Sequence, residues 1–81
     1  MREILYFSAP WCAPCRQLGP VIESLADQIT YRKINVDEDT DLAAKYGVRN
    51  IPTLILVENG VVKNKLVGNQ TDTSILNLYN G

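Results

Sequence analysis

The chain has no histidine, only two cysteines, and a single methionine, tryptophan and phenylalanine among its 81 residues. Without histidine and with no cysteine beyond that pair, a four-ligand zinc centre would need carboxylates or a second chain, so no metal site is expected. An excess of one charge is missing as well: eight Lys and Arg stand against nine Asp and Glu, for a net charge of −1. Such a balance supplies neither a basic footprint for nucleic acid nor a polybasic anchor for a membrane surface. Long apolar runs are also absent. Ile4-Leu5-Tyr6-Phe7, near the start, is too short for a membrane span or the core of a secretory leader, and the expectation is a cytoplasmic protein. At this length a single domain over residues 1–81 is expected, burying roughly 60% of the surface its unfolded chain exposes.

What is present concentrates its chemistry in one stretch, Trp11-Cys12-Ala13-Pro14-Cys15, which holds both cysteines. On the first turn of a helix, residues three apart share a face with side chains about 5–6 Å apart, and a disulfide tolerates roughly 4.4–6.8 Å between Cα atoms. The pair can therefore close and open with little backbone movement. A thiol at a helix start faces unpaired N–H groups and the positive end of the dipole, which favour its thiolate. Cys12 is accordingly expected to attack and Cys15, one turn in, to be the buried resolving thiol. Pro14 fits the first turn, where its missing N–H costs nothing. A lone Cys-x-x-Cys in a reducing compartment is more often catalytic than structural; the bland alternative is a pair of inert buried thiols. Trp11 is expected to stand exposed beside them as a flat apolar contact for a partner chain.

Around this stretch, the unbroken apolar run in residues 2–8 predicts a strand covered on both faces. Leu18, Val21, Ile22, Leu25, Ala26 and Ile29 recur at helical spacing, predicting a helix to about Ile29, kinked at Pro20. Tyr31 to Val36 reads as a second strand, parallel to the first across that helix, with Arg32 and Lys33 suited to a sheet edge. Asp39 or Thr40 can cap a short helix with Leu42, Ala43 and Tyr46 inward and Gly47 ending it. Thr53 to Glu58, an Asn59-Gly60 turn and Val61 to Val67 read as a hairpin. After Gly68-Asn69, Thr71 or Asp72 can cap a last helix with Ile75, Leu76 and Tyr79 as its apolar face. The order is β-α-β-α-β-β-α.

Trp11 to Cys15, Pro20 in the next helix, Ile51-Pro52-Thr53 before a strand, the Asn59-Gly60 turn and Gly68 after it, in that order, resemble the thioredoxin family. So do Lys33 to Asp37 and Leu42 to Val48, and the resemblance spans nearly the whole chain. It implies a minimal thioredoxin fold: a four-stranded mixed sheet, the first strand in the middle, helices on both faces, and a cis peptide before Pro52 beside the cysteines. The family's usual first strand and helix have no counterpart here, so the second strand becomes an edge. Ala13-Pro14 replaces the usual Gly-Pro. Tyr6 stands where the family has a buried aspartate that helps move the resolving thiol's proton, and a phenol with a reference pKa near 10 cannot accept that proton at neutral pH. Ser8 stands where a second tryptophan is frequent.

The resemblance implies a thiol-disulfide oxidoreductase that reduces protein disulfides through Cys12 and Cys15, with Trp11, Pro14, Ile51, Pro52 and Gly68 framing the substrate groove. Lys33 and Tyr6 are the residues expected to bear on proton handling. No cofactor is expected; the implied partners are disulfide-containing proteins, thioredoxin reductase and, as a client, ribonucleotide reductase, and a monomer is expected. Two other readings stay open: a glutathione-dependent, glutaredoxin-like enzyme, although Gly68-Asn69-Gln70 lacks that family's paired glycines and acidic residue, and a non-catalytic interaction module.

Overall fold

A strand with no polar face needs cover on both sides, and that requirement organises the molecule. The computed structural model describes residues 1–81. Its elements are β1 (Arg2–Ser8), α1 (Ala13–Ser24), β2 (Tyr31–Asn35), α2 (Thr40–Lys45), β3 (Thr53–Glu58), β4 (Val61–Val67) and α3 (Asp72–Asn80), the succession expected. The sheet order is β2-β1-β3-β4. β1 runs parallel to β2, Tyr6 opposite Lys33, and antiparallel to β3, Tyr6 opposite Leu54. Consecutive β1 residues feed opposite cores. Ile4 and Tyr6 pack with Leu18 and Ile22 of α1 and Ile75 and Leu78 of α3; Leu5 and Phe7 pack with Ile34 and Ala43 on the other face. Each fully buried side chain of this kind contributes about 1.5–3 kcal/mol.

Local signals account for most boundaries. Asp39 caps α2 through its side chain, and Thr71 caps α3 in a reciprocal capping box with Ser74. Asn59 and Gly60 both take positive φ, 53° and 82°, the backbone that a two-residue hairpin turn demands. β2 and β4 are the two edges, and β2 carries the exposed Arg32 and Lys33. No helix is long and apolar enough to cross a membrane.

Two boundaries and one apolar face differ from the sequence expectation. α1 ends at Ser24, not near Ile29. Beyond it the Leu25, Ala26 and Gln28 N–H groups bond carbonyls three residues back, at 2.9, 3.2 and 2.8 Å, so the chain tightens into turns. Leu25 and Ile29 are buried all the same; their spacing recorded burial, which turns satisfy as well as a helix. β2 stops at Asn35, although the Val36 N–H still bonds the Ser8 carbonyl at 2.9 Å. In α3 the buried residues are Ile75 and Leu78, with Leu76 and Tyr79 packed at the margin. α1 continues through Pro20, whose ring faces outward.

Candidate active site

The loop leaving β1 delivers Cys12 to the N-cap of α1, with extended backbone (φ −89°, ψ 110°) and Pro14 in the exposed first turn. That placement aims the Cys15 N–H at the Cys12 sulfur, 3.3 Å away. The two Cα atoms are 5.2 Å apart and the sulfurs are joined in a disulfide. No acidic residue occupies the first turn of α1 to oppose the positive end of its dipole. Cys12 and Cys15 are equally buried, 5% and 4% exposed, so accessibility does not tell them apart. Hydrogen bonding does: Cys12 Sγ takes the amide donor and lies 3.7 Å from the Ile51 carbonyl oxygen.

Distant segments complete the surroundings. Ile51, half-buried, packs on the cluster of Ala9, Cys12 and Cys15, and the Ile51-Pro52 bond is cis. The Gly68 N–H bonds the Pro52 carbonyl at 2.8 Å, with Gly68 at φ 88°, a conformation open to glycine and strained for other residues. Trp11 is 65% exposed, as expected, and its indole N–H donates to the Asp37 carboxylate at 2.8 Å. Sequence reasoning assigned Asp37 no role, because nothing local marks a contact across 26 positions. It missed a second such contact, the Asn69 side-chain amide donating to Gln17 at 3.2 Å.

Tyr6 is buried, and its hydroxyl donates to the Cys15 carbonyl at 2.9 Å. Burial pushes its phenol above the ordinary value of 10.0, with a Ser8 hydrogen bond opposing and Glu23 and Tyr31 adding to the rise. The phenol is therefore a donor at neutral pH, in keeping with its exclusion as a proton acceptor. Lys33, opposite Tyr6 on β2, is exposed. Tyr6, Cys15 and Lys33 line one cavity of about 810 Å³, between α1 and the β2 edge; Cys12 does not line it. Of the residues named from sequence, Ile51 packs on the cluster that holds both cysteines, Pro52 and Gly68 are joined to it in turn, Trp11 stands exposed next to Cys12, and Tyr6 and Lys33 share the cavity that Cys15 lines.

Comparison with known proteins agrees with this geometry. The family profile described as Thioredoxin matches residues 2–80. The chain is 39% identical to a thioredoxin of Mycoplasma genitalium over 95% of its own length and 78% of that protein's. To a thioredoxin of Haemophilus influenzae it is 41% identical, over 95% of this chain and 76% of the relative. A solved structure of a thioredoxin mutant from Halobacterium salinarum aligns with a TM-score of 0.91 at 41% identity, covering 96% of this chain and 71% of that one. Fasciola hepatica thioredoxin aligns at 0.87 and 28% identity, over 96% and 80%. With a paired Cys12 and Cys15 at the start of α1 and a mixed sheet between two helical layers, the chain belongs to the thioredoxin family of thiol-disulfide oxidoreductases.

Proposed function

We propose that residues 1–81 act as one unit that reduces disulfides in other proteins, Cys12 attacking and Cys15 resolving. The observation that carries these roles is the 3.3 Å hydrogen bond from the Cys15 N–H to Cys12 Sγ at the start of α1. A donor and a helix dipole at one sulfur favour its thiolate over the other. The Cys12 thiolate attacks a substrate disulfide, one substrate sulfur leaves and is protonated, and the chain is joined to substrate through Cys12. Cys15 then gives up its proton and attacks Cys12 Sγ; the second substrate sulfur leaves and the Cys12–Cys15 disulfide closes.

Trp11, Pro14, Ile51, Pro52 and Gly68 frame the substrate groove, the Ile51 backbone pairing with an extended substrate segment. Lys33 and Tyr6 set the conditions under which Cys15 loses its proton: Lys33 by its charge, Tyr6 by replacing a carboxylate with a phenol that stays protonated. The family acts on disulfide substrates with thioredoxin reductase. For this chain we assign recycling by that flavin-dependent enzyme, ribonucleotide reductase among its clients, and a monomeric life in the cytoplasm with no organic cofactor of its own.

Insulin reduction tests the reading. Turnover with NADPH and thioredoxin reductase supports it. Turnover only with glutathione and its reductase would move the chain to the glutaredoxin-like reading, and none with either would leave an interaction module.

A further inference from the structure

The connection from β4 to α3, Gly68 to Thr71, gives the groove its glycine and uses its other side chains to hold that glycine in place. The half-buried Gln70 turns back on the loop: its side-chain amide donates to the Val67 carbonyl at 3.2 Å and to the Gly68 carbonyl at 3.4 Å. Its amide oxygen accepts from the Ser74 hydroxyl at 2.9 Å, so the clamp is anchored on the capping box of α3. Asn69 reaches the other way, donating at 3.2 Å to the side chain of Gln17, which follows Cys15 on α1. With the Gly68 N–H on the Pro52 carbonyl at 2.8 Å, the loop is tied to the cis-proline segment, to α1 and to α3.

Such bonds matter because glycine has the most conformational freedom to lose. Gly68 holds φ 88° with no side chain to pack, and a glycine left unheld samples both signs of φ. A wall that is formed only part of the time weakens substrate binding in proportion to that fraction. We infer that Gln70 is a positioning residue for substrate docking: it keeps the Gly68 wall of the groove in its docking shape before substrate arrives, and the Asn69–Gln17 bridge fixes that wall's place against the helix that carries the cysteines. The inference rests on the proposed groove and names the side chains that preform it. Gln70 touches neither sulfur, so its effect falls on substrate binding and not on the exchange of sulfurs.

Two substitutions separate the clamp from the helix cap. Gln70→Ala removes every bond of the side chain, whereas Gln70→Glu keeps an oxygen for the Ser74 hydroxyl and loses the donor to the two carbonyls. Each should loosen Gly68 in the disulfide form, its backbone order parameter by NMR relaxation falling from about 0.85, the value of a rigid backbone, to below about 0.6. Each should also raise KM for insulin reduction about fivefold, the factor that one net hydrogen bond sustains, with kcat unchanged. Gln17→Ala and Asn69→Ala should each raise KM about twofold and together no further, because they break the same bond; additive effects would refute the bridge. A Gly68 as ordered in both Gln70 variants as in the parent overturns the inference, and so does a loosened Gly68 with an unchanged KM. Parent-like behaviour of Gln70→Glu would confine Gln70 to the cap of α3, and a matching fall in kcat would make it a support of the whole fold; either refutes the positioning role. Gly68 order is read without turnover, so a parent chain that fails to reduce insulin counts against the dithiol cycle while that measurement still decides the clamp.

Discussion

The Tyr6 hydroxyl donates a 2.9 Å hydrogen bond to the Cys15 carbonyl, tying the central strand to the first turn of α1 beneath the disulfide. A buried carboxylate here could take a proton from the resolving thiol. A phenol raised by burial holds its own proton instead and serves as a fixed donor to the backbone.

That difference makes a pH-dependent prediction. The folded chain keeps a Tyr6 proton that the unfolded chain releases near 10.0, so this contribution is whole below that pH and is lost as pH rises through the higher folded value. Tyr6→Phe should cost about 1 kcal/mol at neutral pH, the worth of a buried hydrogen bond, and should flatten the alkaline loss. Urea titrations from neutral to strongly alkaline pH measure both; an identical alkaline decline in parent and variant would place its source elsewhere.

Resolution, not attack, should be the slow step near neutral pH, because the group beneath Cys15 is a phenol that keeps its own proton. Tyr6→Asp should speed decay of the mixed disulfide while lowering stability, since it puts a carboxyl into a site where Tyr6 is only 2% exposed. Tyr6→Phe should leave decay nearly unchanged. Rapid mixing of the three proteins with a disulfide substrate decides; a large loss in Tyr6→Phe would bring the phenol into the proton path.

Cys15→Ser should accumulate a covalent mixed disulfide through Cys12, because attack proceeds and resolution cannot. Cys12→Ser should not trap protein substrates. Non-reducing gels with alkylated controls show which sulfur is engaged, and substrate captured on Cys15 would reverse the two roles.

The Trp11–Asp37 hydrogen bond holds an exposed ring beside the disulfide. Freeing the indole by Asp37→Ala should raise KM for a protein disulfide about three- to tenfold, the equivalent of one hydrogen bond of about 1 kcal/mol, and leave reduction of a small aromatic disulfide unchanged. Parallel losses on both substrates would mean that Asp37 supports the site as a whole and not docking.

Gly19 lies inside α1 directly before Pro20, and beyond its own helix backbone and chain neighbours a Cβ there would meet only the Tyr6 hydroxyl, at 4.0 Å. Gly19→Ala should gain about 0.5–1 kcal/mol of helix propensity and lose it again to the Pro20 ring, which crowds a Cβ on a helical residue before it. An unchanged midpoint in thermal melts is therefore expected, and a rise of several degrees would show that the ring leaves room.

Much of the architecture was legible because its signals are local. Three-residue spacing placed both cysteines on one turn, Asn59-Gly60 set the hairpin, and Asp39 and Thr71 marked helix starts. The end of α1 was not, since Leu25 and Ile29 keep helical spacing while the N–H groups of Leu25, Ala26 and Gln28 turn to carbonyls three residues back. Apolar periodicity reports which side chains are buried and is silent on which carbonyl each N–H takes. The same limit hid Leu78, whose place in α3 depends on how that helix rests on β1.

By itself, then, the order of residues determined the dithiol at a helix start, the apolar central strand and the charged β2 edge. Each follows from interactions within three or four positions or from the bare need to hide apolar surface. Only the tertiary structure decided what surrounds the sulfurs. Tyr6 meets Cys15 across nine positions, Trp11 meets Asp37 across 26, and Asn69 meets Gln17 across 52. Such contacts depend on the direction in which packed elements aim their side chains, and for the same reason the cavity beside Cys15 exists only once α1 has settled against the edge of the sheet.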